Sequence, residues 1–167
     1  MAREKVAFVN ASPLIGLAAI GGLGWLRKLY RRALITPTVR MEVLTGLGRA
    51  GEAEVAAAIA IRQIGVLRRD PVGTQLLPAL DDGEASTIRA AVAHGPNALV
   101  ILDELIARKV ARRIGLDCTG TAGVIVEARR ARLVKAARPL FRRLAERGFF
   151  LAPDLVTAVL KELGEDR

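Results

Sequence analysis

The sequence predicts a three-layer α/β/α sandwich built on a short parallel sheet of about five strands. Short uncharged aliphatic runs, such as Val6–Val9 and Ala98–Leu102, alternate with helix-length segments, as in a sheet covered on both faces. Of the 167 residues, 51% are hydrophobic and only 4% aromatic, which suits an aliphatic core between helices. A chain of this size buries roughly 70% of its unfolded surface, so it needs no disulfide or structural metal. The lone Cys118 excludes an internal disulfide and a zinc centre, and the lone His94 excludes a His-rich metal cluster. A cytoplasmic protein is expected, in which any metal sits on oxygen ligands.

Each element follows from local signals. Lys5–Val9 is a strand ended by the Asn10–Pro13 turn, with Ser12 expected to cap a helix that Pro13 begins. That helix continues to about Tyr30 with a break at Gly21–Gly24. Ala33–Ile35 is the next strand, and Thr36-Pro37 opens a helix to about Thr45. Glu52–Gln63 is an Ala-rich helix, Gly65–Arg68 a strand and Asp70–Pro78 a loop. Asp81, three residues before Glu84, forms a capping-box pattern for a helix reaching Gly95. Ala98–Leu102 is the clearest buried strand. Glu104–Ile114 is an amphipathic helix, with Leu105, Ile106, Val110 and Ile114 expected on the buried face and Arg108, Lys109, Arg112 and Arg113 on the other. A brief strand at Leu116–Cys118 and helices at Thr121–Arg132, Arg138–Arg147 and Pro153–Leu163 complete the chain. Residues 1–135 are expected to form the sandwich, with residues 136–167 a helical extension packed on the same domain.

A membrane span is rejected. Val6–Leu26 carries no charge over twenty-one residues, long enough to cross a bilayer. Asn10, Ser12, Pro13 and the glycines at 16, 21, 22 and 24 interrupt it, and basic residues flank both ends.

The net charge of +9 is localised. Leu105 to Arg147 holds twelve Lys/Arg against three acids, while the remainder of the chain is balanced at fourteen each. This segment reads either as a surface for a polyanion or as a set of solvated helix faces.

In an open parallel sheet, ligands bind outside the carboxyl ends of the strands. Asn10 and Asp103 stand at two such ends, while Glu42 and Glu84 fall near helix starts. Converging there, such oxygen donors suit Mg²⁺ or Mn²⁺ and phosphodiester chemistry. Each also has a plainer reading. Asp81 and Glu84 cap a helix, Asp103 caps the helix after it, Asn10 forms an Asx-turn and Glu42 is a solvated helix residue.

Four motifs carry a resemblance. Val6-Ala7-Phe8-Val9-Asn10-Ala11-Ser12-Pro13-Leu14-Ile15 resembles the start of the PIN-domain nucleases. Ile35–Val43, Gly83–Ala91 and Leu99–Asp103 are similar to that family's second, third and fourth acidic motifs. Gly115–Gly123 and the tail from Arg138 are similar to one branch of PIN-domain-like proteins. The likeness spans nearly the whole chain and is specific as an ensemble.

The resemblance implies a metal-dependent ribonuclease acting on single-stranded RNA, often the toxin of a toxin–antitoxin pair. Carried over, Asn10, Glu42, Glu84 and Asp103 occupy the catalytic quartet, with Glu84, Asp103 and Asn10 as metal ligands for Mg²⁺ or Mn²⁺. Ser12, Thr119 and Thr121 support the pocket. Arg108, Lys109, Arg112 and Arg113 are expected to follow the RNA backbone. The expected partners are RNA, a small antitoxin and a second copy in a homodimer, with no membrane. Asn10 departs from the family's aspartate, and its amide oxygen brings a ligand without a charge. A slow or high-metal nuclease and a binding-only relative both follow from that departure.

A dinucleotide-binding reading competes through Gly46-Leu47-Gly48-Arg49-Ala50-Gly51, with Asp70 beyond it. Charged Arg40 and Glu42 in the preceding segment, Pro37 at its start, and Glu52 and Glu54 at the phosphate position oppose it. Trp25, Tyr30 and four Phe look too scattered for a base-stacking platform.

Overall fold

Strands β1 (Val6–Val9), β2 (Arg32–Ile35), β3 (Gly65–Val66), β4 (Ala98–Ile101) and β5 (Asp117–Thr119) form one parallel sheet in the order β3-β2-β1-β4-β5. The coordinates are a computed structural model that describes residues 2–73 and 77–166. The order reverses beside β1, which pairs with β2 on one edge and β4 on the other. This switch point opens a crevice at the carboxyl ends of β1 and β4.

Side chains alternate across the strands and build the two outer layers. Val6, Phe8, Leu34, Val100 and Leu102 face α5 (Asp82–His94) and α6 (Leu105–Arg113). Ala7, Val9, Ile35 and Ile101 face the larger layer. That layer contains α1 (Ala11–Ala19), α2 (Trp25–Leu29), α3 (Pro37–Val43), α4 (Glu52–Ala60) and α7 (Thr121–Arg130). Helices α8 (Arg138–Glu146) and α9 (Pro153–Glu162) join the same core through Phe141, Leu144, Val159 and Leu160. Being apolar on both faces, the strands read as aliphatic runs, and the expected three-layer sandwich is what forms.

The long uncharged stretch divides into β1, α1 and the start of α2, with Gly21 at φ +71 ending the first helix. No helix among the described residues is long and apolar enough to cross a membrane. Of the loop expected over residues 70–78, residues 74–76 lie outside the described residues.

Two local expectations are corrected, and one rival reading falls. Helix α1 begins at Ala11 with Asn10 at the N-cap position, so exposed Ser12 lies inside its first turn and does not cap it. Pro13 is tolerated there because first-turn amides have no intrahelical acceptor.

Helix α6 is turned relative to its apolar pattern. Leu105 and Ile106 are 57% and 51% exposed, while the buried seam is Ala107 and Ala111. Small side chains let the helix axis approach the sheet, and Arg108 is thereby drawn half inside.

The glycine motif follows a helix, α3, and not a strand. Its Gly46 and Arg49 amides and the Thr45 hydroxyl donate to the Glu52 carboxylate. The amides that would receive a pyrophosphate are therefore occupied by an acid of the chain itself, which removes the dinucleotide reading.

Candidate functional site

Asn10 follows β1 directly, and its backbone amide donates to Ile101 O at 3.1 Å, locking the ends of β1 and β4 together. Its side chain is 6% exposed. Asn is a favoured capping residue, yet Asn10 makes no side-chain cap to α1. Its Oδ1 is buried with no hydrogen-bond donor among the described residues. A buried carbonyl oxygen without a donor is costly, and the Asx-turn reading does not account for it.

Asp103 lies just beyond β4, across the switch point. The Thr121 amide donates to Oδ1 and the Thr121 hydroxyl to Oδ2, each at 2.7 Å. The carboxylate thus sits at the N-terminus of α7, a favourable place for negative charge. It is not the cap of α6. Glu104 takes that position and accepts from the Ile106 amide at 3.5 Å. Gly120, the residue before α7, is needed for this closeness, since a Cβ there would lie 2.9 Å from Asp103 Oδ1.

Glu84 is buried in the first turn of α5, and the capping box forms as expected. Its amide donates to Asp81 Oδ1 at 2.7 Å, and the Asp81 amide donates back to Glu84 Oε2 at 3.2 Å. Thr36, which caps α3, meets Ser86 of α5 hydroxyl to hydroxyl at 2.7 Å. This buried pair brings α3 beside α5. The Glu42 carboxylate then folds back over Gly83, where an added Cβ would collide with it.

The acids crowd one another. Burial raises the Glu84 carboxyl above its ordinary value; the Asp81 amide opposes this, and the charges of Asp81 and Glu104 reinforce it. Burial of the carboxylate end also raises Glu42, followed by the charge of Asp81, against the Gly83 amide, with Asp82 and Glu84 adding to the rise. Glu104 is a member of this cluster that sequence reasoning passed over, though it directly follows Asp103 in the chain.

The structure thus gives two carboxylate groups, Glu42 with Glu84 around the start of α5 and Asp103 at the start of α7, with Glu104 interacting with Glu84. Among the described residues, no three of Asp, Glu, His and Cys form a ready-made metal centre. Thr121 supports Asp103 directly. Thr119, at the end of β5, packs its hydroxyl over Gly123 of α7.

A groove of about 830 Å³ leads away from Asp103 between α6, α7 and α9. Arg108 and Arg112 stand on one wall and Phe150 and Leu155 on another. Lys109 and Arg113 are exposed outside this lining. Part of the cationic excess is neutralised within the fold, because Arg129 pairs with Glu165 and Arg130 with Glu162. Trp25, Tyr30, Phe8 and Phe141 are buried, whereas Phe150 is 86% exposed.

The family model of the PIN domain matches residues 6–165. The chain belongs to the PIN-domain family. No curated protein and no solved structure matches it significantly. PIN domains have a nuclease-type fold and generally use divalent metals, and here the donor chemistry fits such an ion. Asn10 Oδ1 lacks a donor, and Glu84 is pushed upward first by burial and then by the charges of Asp81 and Glu104, a state that a bound cation would relieve. Mg²⁺ is typically held by one or two carboxylates, waters and substrate phosphates rather than by a closed protein cage. A PIN domain without a three-acid cluster is compatible with that mode.

Proposed function

We propose that this PIN domain is a metal-dependent endoribonuclease for single-stranded RNA. The observation that carries the reading is the unpartnered, buried Asn10 Oδ1 at the β1 end of the switch point, opposite the Thr121-bound Asp103. Asn10, Glu84 and Asp103 would hold Mg²⁺ or Mn²⁺. When bound, the ion supplies Lewis-acid polarisation of a phosphate oxygen and acidifies a water.

The chain's own residues then do the following. Thr121 holds Asp103 in one orientation through both oxygens. Glu84 keeps one oxygen on the α5 cap and leaves the other to the site. Glu42, raised above its ordinary value, accepts a proton from the attacking water. The water oxygen bonds to phosphorus as one P–O ester bond breaks. A proton passes to the leaving oxygen, giving one phosphate-ended and one hydroxyl-ended fragment.

The test is incubation of labelled single-stranded RNA with the full chain and Mn²⁺. Cleavage that stops with EDTA, with Asp103→Asn and with Glu84→Gln supports the reading; intact RNA at every Mn²⁺ concentration overturns it. Asn10 in place of an acid favours a second reading, an RNA- or antitoxin-binding PIN domain without turnover. RNA retention without cleavage in the same assay selects it. Service as the toxin of a pair requires a small co-transcribed partner, and growth arrest on expression, relieved by that partner, tests the role. A homodimer is part of this proposal and is read by sedimentation.

A further inference from the structure

The geometry points to Arg108 as the residue that grips a backbone phosphate of single-stranded RNA in the groove beside Asp103, with Arg112 one turn further along α6 as its second contact. This rests on the ribonuclease reading and adds a substrate-holding residue to it. The Ala107–Ala111 seam turns Arg108 inward, whereas Lys109, Arg112 and Arg113 remain exposed. The Arg108 Nε is shut off from solvent and meets no acceptor among the described residues. No carboxylate compensates for this. Arg108 enters none of the ion pairs among the described residues, and the nearby Asp103 is oriented by Thr121 instead.

The guanidinium also interacts with the Cys118 thiol, which is no anion, and its planar fork matches phosphate oxygens. Gly120 keeps the space between the two residues open. A Cβ there would stand 2.9 Å from Asp103 Oδ1 and 3.7 Å from Arg108 Nη1. One phosphate at that gap would sit within reach of the candidate cleavage carboxylate and of the guanidinium.

Asp103 and Glu104 mark the carboxylate end of the groove, and Arg108 and Arg112 are its cations outside an ion pair among the described residues. Glu162 is paired with Arg130, and Glu127 lies against Tyr30. Phe150, standing almost free on the opposite wall, offers a face for a base. An RNA strand with its scissile phosphate at Asp103 would run into this groove, which favours RNA over an acidic protein segment as the occupant.

The experiment is a titration of labelled single-stranded RNA onto the full chain in EDTA, where binding is read without cleavage. Arg108→Gln is expected to weaken binding by about tenfold or more and to make the log–log salt slope shallower by about 0.7. Arg108→Lys is expected to restore the slope but only part of the affinity, since the charge returns without the fork. Arg27→Gln, on the exposed α2 surface, is expected to stay within about twofold of the parent. Equal losses for Arg108→Gln and Arg27→Gln, no RNA binding by the parent, or displacement of RNA by polyglutamate at equal charge concentration each overturn the inference. Arg108-dependent binding without Mn²⁺-driven cleavage sinks the ribonuclease reading and leaves this one standing. Cleavage with Arg108-independent binding does the reverse.

Discussion

Thr121 fixes both oxygens of Asp103: its amide reaches Oδ1 and its hydroxyl Oδ2, both at 2.7 Å, across eighteen positions of sequence. Thr121 is 1% exposed, so the hydroxyl serves Asp103 and not solvent. Thr121→Val keeps the shape and removes one charge-assisted bond, a loss of about 1.5–3 kcal/mol in urea unfolding. Thr121→Ser should recover most of it. A Val variant as stable as the parent would show that the hydroxyl bond contributes nothing.

Burial of the α5 acids, reinforced by their crowding, makes stability fall with rising pH. The Glu42 and Glu84 carboxyls are raised above their ordinary 4.5, so just above that pH the folded chain binds more protons than the unfolded one. Their penalty is absent below 4.5 and complete once pH exceeds the folded values. Glu84→Gln, which preserves the capping pattern, should therefore unfold at higher urea than the parent at pH 7, with the gain vanishing near pH 4. A variant less stable than the parent at pH 7 contradicts this penalty on the charged form.

Asn10→Asp tests the departure from the family's first acid. Without metal, the new carboxylate is buried where the amide oxygen already lacks a donor and should lower the melting temperature. With Mn²⁺ the order should reverse, and calorimetry should show roughly tenfold tighter binding from the added ligand charge. Identical heats for Asn10→Asp and the parent would place position 10 outside any metal site.

Glu165 ties the C-terminal tail to the start of α8. Its carboxylate accepts from the Arg129 side chain at 2.9 Å and from the Ala137 and Arg138 amides at 2.8 and 3.0 Å. Burial acts to raise this carboxyl, but the bonds from Arg138, Arg129 and Ala137 together hold it below its ordinary value. The resulting stability is present above 4.5 and is lost as pH falls through the lowered value. Glu165→Ala should cost about 1–2 kcal/mol at pH 7, as for a lost helix cap, and little in acid. An equal cost at both pH values would assign the effect to packing.

Most of the architecture was legible in the chain because its signals are local. Aliphatic runs named the strands, Thr36-Pro37 and Asp81 with Glu84 named helix starts, and Gly21 ended a helix. The rotation of α6 was not legible. Leu105, Ile106 and Ile114 make the more apolar stripe, but close approach to the sheet selects the small Ala107 and Ala111. Glu52, four residues beyond Gly48, opposes a phosphate there by charge, and the structure shows its carboxylate occupying the loop amides.

Strand and helix identity, the layer order and the candidate acids came from residue pattern alone, since backbone preference and apolar spacing act over a few neighbouring positions. Which acids meet was decided by packing between distant segments. The Thr36–Ser86 bond brings Glu42 over α5, and Gly120 lets Asp103 reach Thr121. The inward turn of Arg108 and the bonding of Arg129 and Arg130 by the tail depend likewise on side chains far apart in sequence, whose encounter no local periodicity encodes.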